Sequence, residues 1–154
     1  MAIDADITAD DDPFDLSRFT RAQQEVYDRV LAELRSGHKR THWMWFIFPQ
    51  IDGLGYSATS KCYAIKSIGE AQQCMNHPVL GTRLLECAET VLAIEGQPVS
   101  HIFSYPDDLK LKSSMTLFGY VAGPDCVFSR VLDRYFDGEQ DARTLDLIGA
   151  LNGR

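Results

Sequence analysis

Six apolar residues in succession, Trp43-Met-Trp-Phe-Ile-Phe48, four of them aromatic and ended by Pro49, constrain this chain more than any other stretch. Such a run cannot face water, so it sits in the middle of whatever core forms. Its flanks are polar: Arg35, His38, Lys39, Arg40 and His42 precede it, and Gln50, Asp52, Gly53 and Gly55 follow. Polar chemistry is therefore tethered to both ends of a hydrophobic plug, and a site is expected there. Aromatic content suits a strand, whereas Thr41 as an N-cap and Pro49 as a terminator suit a short buried helix. No other stretch alternates apolar and polar residues for long enough to pair with a strand, so the run is read as a buried helix.

At 154 residues the chain is sized for a single domain. No apolar stretch approaches the roughly 18 residues needed to span a membrane. The first fifteen residues lack both basic residues and an apolar segment, so they read as neither a secretory signal nor a transit peptide, and a cytoplasmic protein is expected. The net charge of -7 is concentrated: six of the 22 acids precede residue 16, which leaves 16 acids to face 15 lysines and arginines. Residues 1–12 are read as an acidic disordered tail and 13–154 as one helical domain. That acidity argues against nucleic acid as a partner. Cys62, Cys74, Cys87 and Cys126 have no C-x-x-C spacing and read as small buried hydrophobes in a reducing compartment.

Helical periodicity dominates the rest. Thr20 and Gln23 have the form of a capping box opening a long helix, with Val26, Val30, Leu31 and Leu34 inward, Glu33 outward and Gly37 as its stop. Ser57 and Ser67 are placed as caps of two short helices, and Pro78 in the first turn of a longer one that runs to Gly96. One short turn is expected at Ser100, and a helix from Asp107 to Gly123. Asp125 and Asp141 are placed as caps of the last two. The sum is an all-α domain of about eight helices around the aromatic segment.

The segments Asp12-Pro-Phe-Asp-Leu-Ser-Arg-Phe19, His42-Trp-Met-Trp-Phe-Ile-Phe-Pro-Gln50, His77-Pro-Val-Leu-Gly81 and Asp107-Asp-Leu-Lys-Leu-Lys-Ser-Ser-Met-Thr-Leu-Phe118 resemble a family of uncharacterised bacterial proteins, domain of unknown function 1810. The resemblance runs nearly end to end and implies a fold of packed helices. It implies no established activity, substrate or catalytic residue.

Two segments concentrate chemistry-bearing residues. His38 and His42 are four apart, but Gly37 interrupts the helix and no glutamate follows His38, so metal is not expected. Gly53-Leu-Gly55 lacks the third glycine and the strand of a dinucleotide fingerprint and reads as a turn. No cofactor motif is complete. In a helix beginning at Asp107, Lys110 and Ser114 share a face, Lys112 and Thr116 share the next, and Ser113 lies near both; ammonium and hydroxyl groups so grouped suit a phosphate or carboxylate. The plainer alternative is solvated lysines and small residues that permit close helix packing. At the plug, His42, Trp45, Gln50 and Tyr63 can line a pocket for a planar ring, with Arg40 and Lys112 answering an anionic group.

The functional expectation is therefore a pocket beside the Trp-rich segment for a small anionic, nucleotide-like ligand, lined by Arg40, His42, Trp45, Gln50, Tyr63, Lys110, Lys112, Ser113 and Ser114. Catalysis stays open, with His42 or Asp107 as the available acid or base. The alternative is a non-enzymatic helical module that docks a protein partner. RNA binding through Arg35, Lys39 and Arg40 is the weakest of the three readings.

Overall fold

The computed structural model describes residues 11–152; the expectation for the acidic tail falls largely on residues 1–10, outside them. Ten helices occur among the described residues: α1 Ser17–Gln24, α2 Tyr27–Arg35, α3 Met44–Ile47, α4 Ala58–Tyr63, α5 Ile68–Asn76, α6 Leu80–Ala93, α7 Val99–Ile102, α8 Asp107–Ala122, α9 Val127–Phe136 and α10 Ala142–Asn152. The all-α expectation holds, with two more helices than anticipated. Among the described residues, extended pairing is limited to a parallel bridge between Ile51 and Ile65. No helix there is long and apolar enough to cross a membrane.

The expected first helix is two. Thr20 is not a cap, because its hydroxyl donates to the Ser17 carbonyl inside α1. The capping carboxylate is Asp12, which accepts from the amides of Leu16 at 2.7 Å and Ser17 at 3.0 Å. Burial pushes the Asp12 carboxyl up, but those amides and the Ser17 hydroxyl outweigh it, so its pKa is lowered. The chain breaks between Gln24 and Tyr27, which lets α1 turn Gln23 toward the plug while α2 buries Val30, Leu31 and Leu34. The Gln23 amide donates to the Phe46 carbonyl at 2.7 Å.

The plug is helical as expected, over Met44–Ile47, with Trp43, Met44, Phe48 and Phe103 fully buried. Phe103 meets both Trp43 and Phe48 edge-on, the favoured geometry for paired rings. Thr41 does not cap this helix; its hydroxyl donates to Glu33 Oε2 at 2.7 Å. Glu33, expected to face solvent, is buried, because the loop after Gly37 folds back over it.

Ser57 and Ser67 cap α4 and α5 as expected, each accepting from the amide three residues on. Glu70 accepts from the Lys66 amide and pairs with Arg18, whose guanidinium also donates to the carbonyls of Phe14, Asp15, Cys62 and Ala64. One arginine thus ties the entry of α1 to the connector between α4 and α5. Pro78 lies outside α6, whose first amides donate instead to His77 Nδ1. The cap of α9 is the Cys126 sulfur rather than Asp125. Asp141 does cap α10, accepting from the Thr144 amide. The cysteines divide: Cys74 and Cys87 are buried, Cys126 is half-buried and Cys62 is exposed, against the expectation of four buried thiols.

Helix α8 carries six successive buried residues, Ser113 to Phe118, and packs against α5, α7, α9 and α10. A helix enclosed on all sides needs small residues where neighbours come close, which Ser113, Ser114 and Thr116 supply.

Candidate functional site: a crevice between the loop after the plug, α8 and α10

The loop leaving the plug is held by two backbone hydrogen bonds of the Ile51–Ile65 bridge, Ile65 amide to Gln50 carbonyl and Asp52 amide to Ile65 carbonyl, both 2.8 Å. It then turns through Gly53, at φ +110, and Gly55. A Cβ at Gly55 would lie 2.5 Å from that of Ser60, so only glycine lets this turn close onto α4. The turned loop faces the first half of α8 and the start of α10 across a crevice of about 280 Å³. Gln50, Gly55 and Ser60 form one wall, Pro106, Leu109, Lys110 and Ser113 the second, and Asp141 and Arg143 the third.

Within the crevice, Lys110 Nζ sits 4.8 Å from the Trp45 ring centroid and 3.6 Å from Asp107 Oδ1. Asp107 is held more closely by Lys39, at 2.8 Å, and the Lys39 ammonium lies 5.0 Å from the Trp43 ring centroid. Both tryptophans thus carry an ammonium on their faces. Among the described residues, neither the Gln50 amide nor the Arg143 guanidinium has a side-chain hydrogen bond or ion pair. Ser113 Oγ lies 2.8 Å from Thr144 Oγ1, which donates to Asp141 Oδ2 at 2.6 Å.

The residues singled out from sequence separate into two groups. Gln50, Lys110 and Ser113 line the crevice; Trp45 and Tyr63 stand beside it with Gln50 around a hollow of only about 10 Å³, space for one water. No planar ring enters between Trp45 and Tyr63. The remaining four lie elsewhere. Arg40 and His42 are exposed and outside the crevice, and Ser114 is fully buried in α8 with no partner for its hydroxyl. Lys112 points away to pair with Glu139 and to pack on Phe136. His38 does not join His42; its Nδ1 meets the His101 carbonyl at 2.9 Å. Among the described residues, no group of three His, Cys, Asp or Glu is placed to hold a metal.

Asp141 and Arg143 belong to the crevice and were not marked by their pattern beyond the capping role of Asp141. A helix N-cap followed two residues later by arginine is too common to point to a site. Two larger hollows lie near α1. One, of about 400 Å³, is bordered by Asp11 and Asp12, which do not suit an anion. The other, of about 520 Å³, is lined by Arg18, Lys61 and Lys66 with Asp15 and Glu70; Arg18 is committed to carbonyls and Glu70, and Lys66 to the Lys61 and Ala64 carbonyls. The 280 Å³ crevice joins the two cations Lys110 and Arg143 to the Gln50 side-chain amide, unpartnered among the described residues.

Residues 13–148 match the family described as protein of unknown function (DUF1810). The fold is similar to that in the crystal structure of the conserved hypothetical protein Rv1873 from Mycobacterium tuberculosis. That similarity has a TM-score of 0.87 and 48% sequence identity, covering 89% of this chain and 98% of that one. A search of curated proteins gave no match. With the match spanning α1 to most of α10, the chain belongs to the DUF1810 family of proteins of unknown function.

Proposed function

We propose that the crevice between the loop after the plug, α8 and α10 binds a small organic anion in a cytoplasmic protein. The observation that carries this reading is the convergence of Lys110, Arg143 and Gln50 on one crevice, with the Arg143 and Gln50 donors unengaged. Its volume of about 280 Å³ is near the lower end for ligand sites, so the ligand is small or only partly enclosed. A ring on such a ligand lies against Pro106 and Leu109, because the slot beside Trp45 is filled. Neither His42 nor Asp107 lines the crevice; the titratable carboxylate there is Asp141. Three of the four cysteines are at least half-buried and all four are free, which suits a reducing compartment.

The test is thermal-shift screening against phosphate- and carboxylate-bearing metabolites, with tryptophan fluorescence as a second readout. An anion that draws Lys110 off the Trp45 face is expected to raise Tm and change Trp45 emission. Lys110→Met and Arg143→Met are each expected to weaken binding about 10-fold, the worth of a charge-assisted hydrogen bond. Flat responses in both readouts would sink the proposal.

A second reading, docking of a protein partner, is favoured by Tyr56 and Tyr105, which are 84% and 79% exposed. They are the chain neighbours of Gly55 and Pro106 in the crevice wall, so a partner would cover its mouth. Retained binding of small anions by a Tyr56→Ser, Tyr105→Ser double variant would favour the first reading.

A further inference from the structure

Hydroxyl protons are scarce beside the two cations of the crevice, and where each is committed decides what the crevice can accept. Asp141 Oδ2 accepts from the Thr144 amide at 2.9 Å and the Thr144 hydroxyl at 2.6 Å. A carboxylate has no proton to give, so the single hydroxyl proton of Thr144 is committed to Asp141. Thr144 Oγ1 is therefore the acceptor in its 2.8 Å contact with Ser113, and the Ser113 proton is committed in turn. Ser113 is 2% exposed and lines the crevice; all that its oxygen still offers is acceptor capacity. Asp141 lines the crevice too, and its Oδ1 accepts no hydrogen bond among the described residues. The α8 wall thus carries Lys110 beside the Ser113 acceptor, and the α10 wall Arg143 beside the Asp141 acceptor, so two cations and two unfilled acceptors meet in one crevice.

From this arrangement we infer that the ligand carries a hydrogen-bond donor, an amino or hydroxyl group, beside its anionic group. The anion goes to Lys110 and Arg143 and the donor to Ser113 Oγ and Asp141 Oδ1. This inference rests on the anion-binding reading above and deepens it to a substrate class: hydroxylated or amino-bearing phosphates and carboxylates. A bare anion of the same size leaves both acceptors unpaired and places its own charge beside the Asp141 carboxylate. Sites built to hydrogen-bond a donor reject analogues that lack it for this reason. Two lining cations against one lining carboxylate leave one positive charge in excess, which suits a ligand of net negative charge with a neutral donor or an ammonium.

Calorimetric titration of the full chain with matched probes tests this: glycerol 3-phosphate against n-propyl phosphate, and 2-aminoethyl phosphate against ethyl phosphate. The donor-bearing member of each pair is expected to bind about 10-fold tighter. Ser113→Ala removes one acceptor and should cut that preference to about 2-fold. Thr144→Val, at a fully buried position outside the crevice, releases the Ser113 proton so that it can donate to an anion. There, n-propyl phosphate should bind tighter than it binds the unaltered protein, a change that loss of packing alone would not produce. Equal affinities within each pair would overturn the donor inference and leave the anion reading standing; no binding of any probe would overturn both. A preference that persists undiminished in Ser113→Ala and Thr144→Val would also overturn it.

Discussion

Glu33 is a buried carboxylate that does the work of a small hub. Its Oε1 accepts from the Arg40 amide at 2.8 Å, the Thr41 amide at 3.0 Å and the Trp43 indole at 2.9 Å, and its Oε2 from the Thr41 hydroxyl. Burial pushes the carboxyl pKa up, yet the four donations outweigh it and hold it at about 2, down from the ordinary 4.5. A lowered folded-state value means stability that is full above the unfolded value and lost as pH falls toward the folded one. Glu33→Gln is accordingly expected to cost about 3 kcal/mol at neutral pH. The gap from the unaltered protein should begin to close below about pH 4.5 and vanish near pH 2, as urea unfolding across that range would report. That the Trp43 indole needs an acceptor was legible from its place in an apolar run. Its partner was not, because Glu33 falls on the polar side of a helical wheel that takes no account of the returning loop.

At the scale of elements, the helices read most accurately from sequence were those with local punctuation, α8 between Pro106 and Gly123 and α5 behind Ser67. The first helix was misread because the break near Glu25 has no proline or glycine to announce it. Its true cap, Asp12, lies four residues before the first amide it serves. The junction of α5 and α6 shows a constraint of another kind. A Cβ at Gly81 would lie 2.0 Å from the Met75 carbonyl oxygen, a backbone atom that cannot step aside, whereas one at Gly149 in α10 meets nothing within 4 Å. Gly81→Ala is expected to destabilise by about 2 to 3 kcal/mol through overpacking. Gly149→Ala should stabilise by about 0.5 to 1 kcal/mol through helix propensity. Thermal or urea unfolding of the two variants side by side checks both signs.

Across the whole molecule, α8 holds the centre and α4, without a buried residue of its own, lies at the edge. Amide hydrogen exchange is expected to be slowest over Leu111 to Phe118 and fastest in α4, with comparable rates in the two sinking this hierarchy. The crevice is built from both. Its contributions from the loop after the plug and from α8, some 60 residues apart in sequence, were legible as two polar segments. Which lysine would face inward was not: Lys110 turns to Trp45 and Lys112 to Glu139, and that choice is made by how α9 and α10 pack. The third wall, Asp141 and Arg143, depends on that packing entirely.

The double pairing of Asp107 has a consequence for any visitor to the crevice. When Lys110 swings toward an incoming anion, Asp107 is not stranded, since its nearer counterion, Lys39, stays pinned against the Trp43 ring. The receiving cation can thus be lent out without abandoning a carboxylate, so the swing carries little of the desolvation penalty that usually opposes separating partly buried charges.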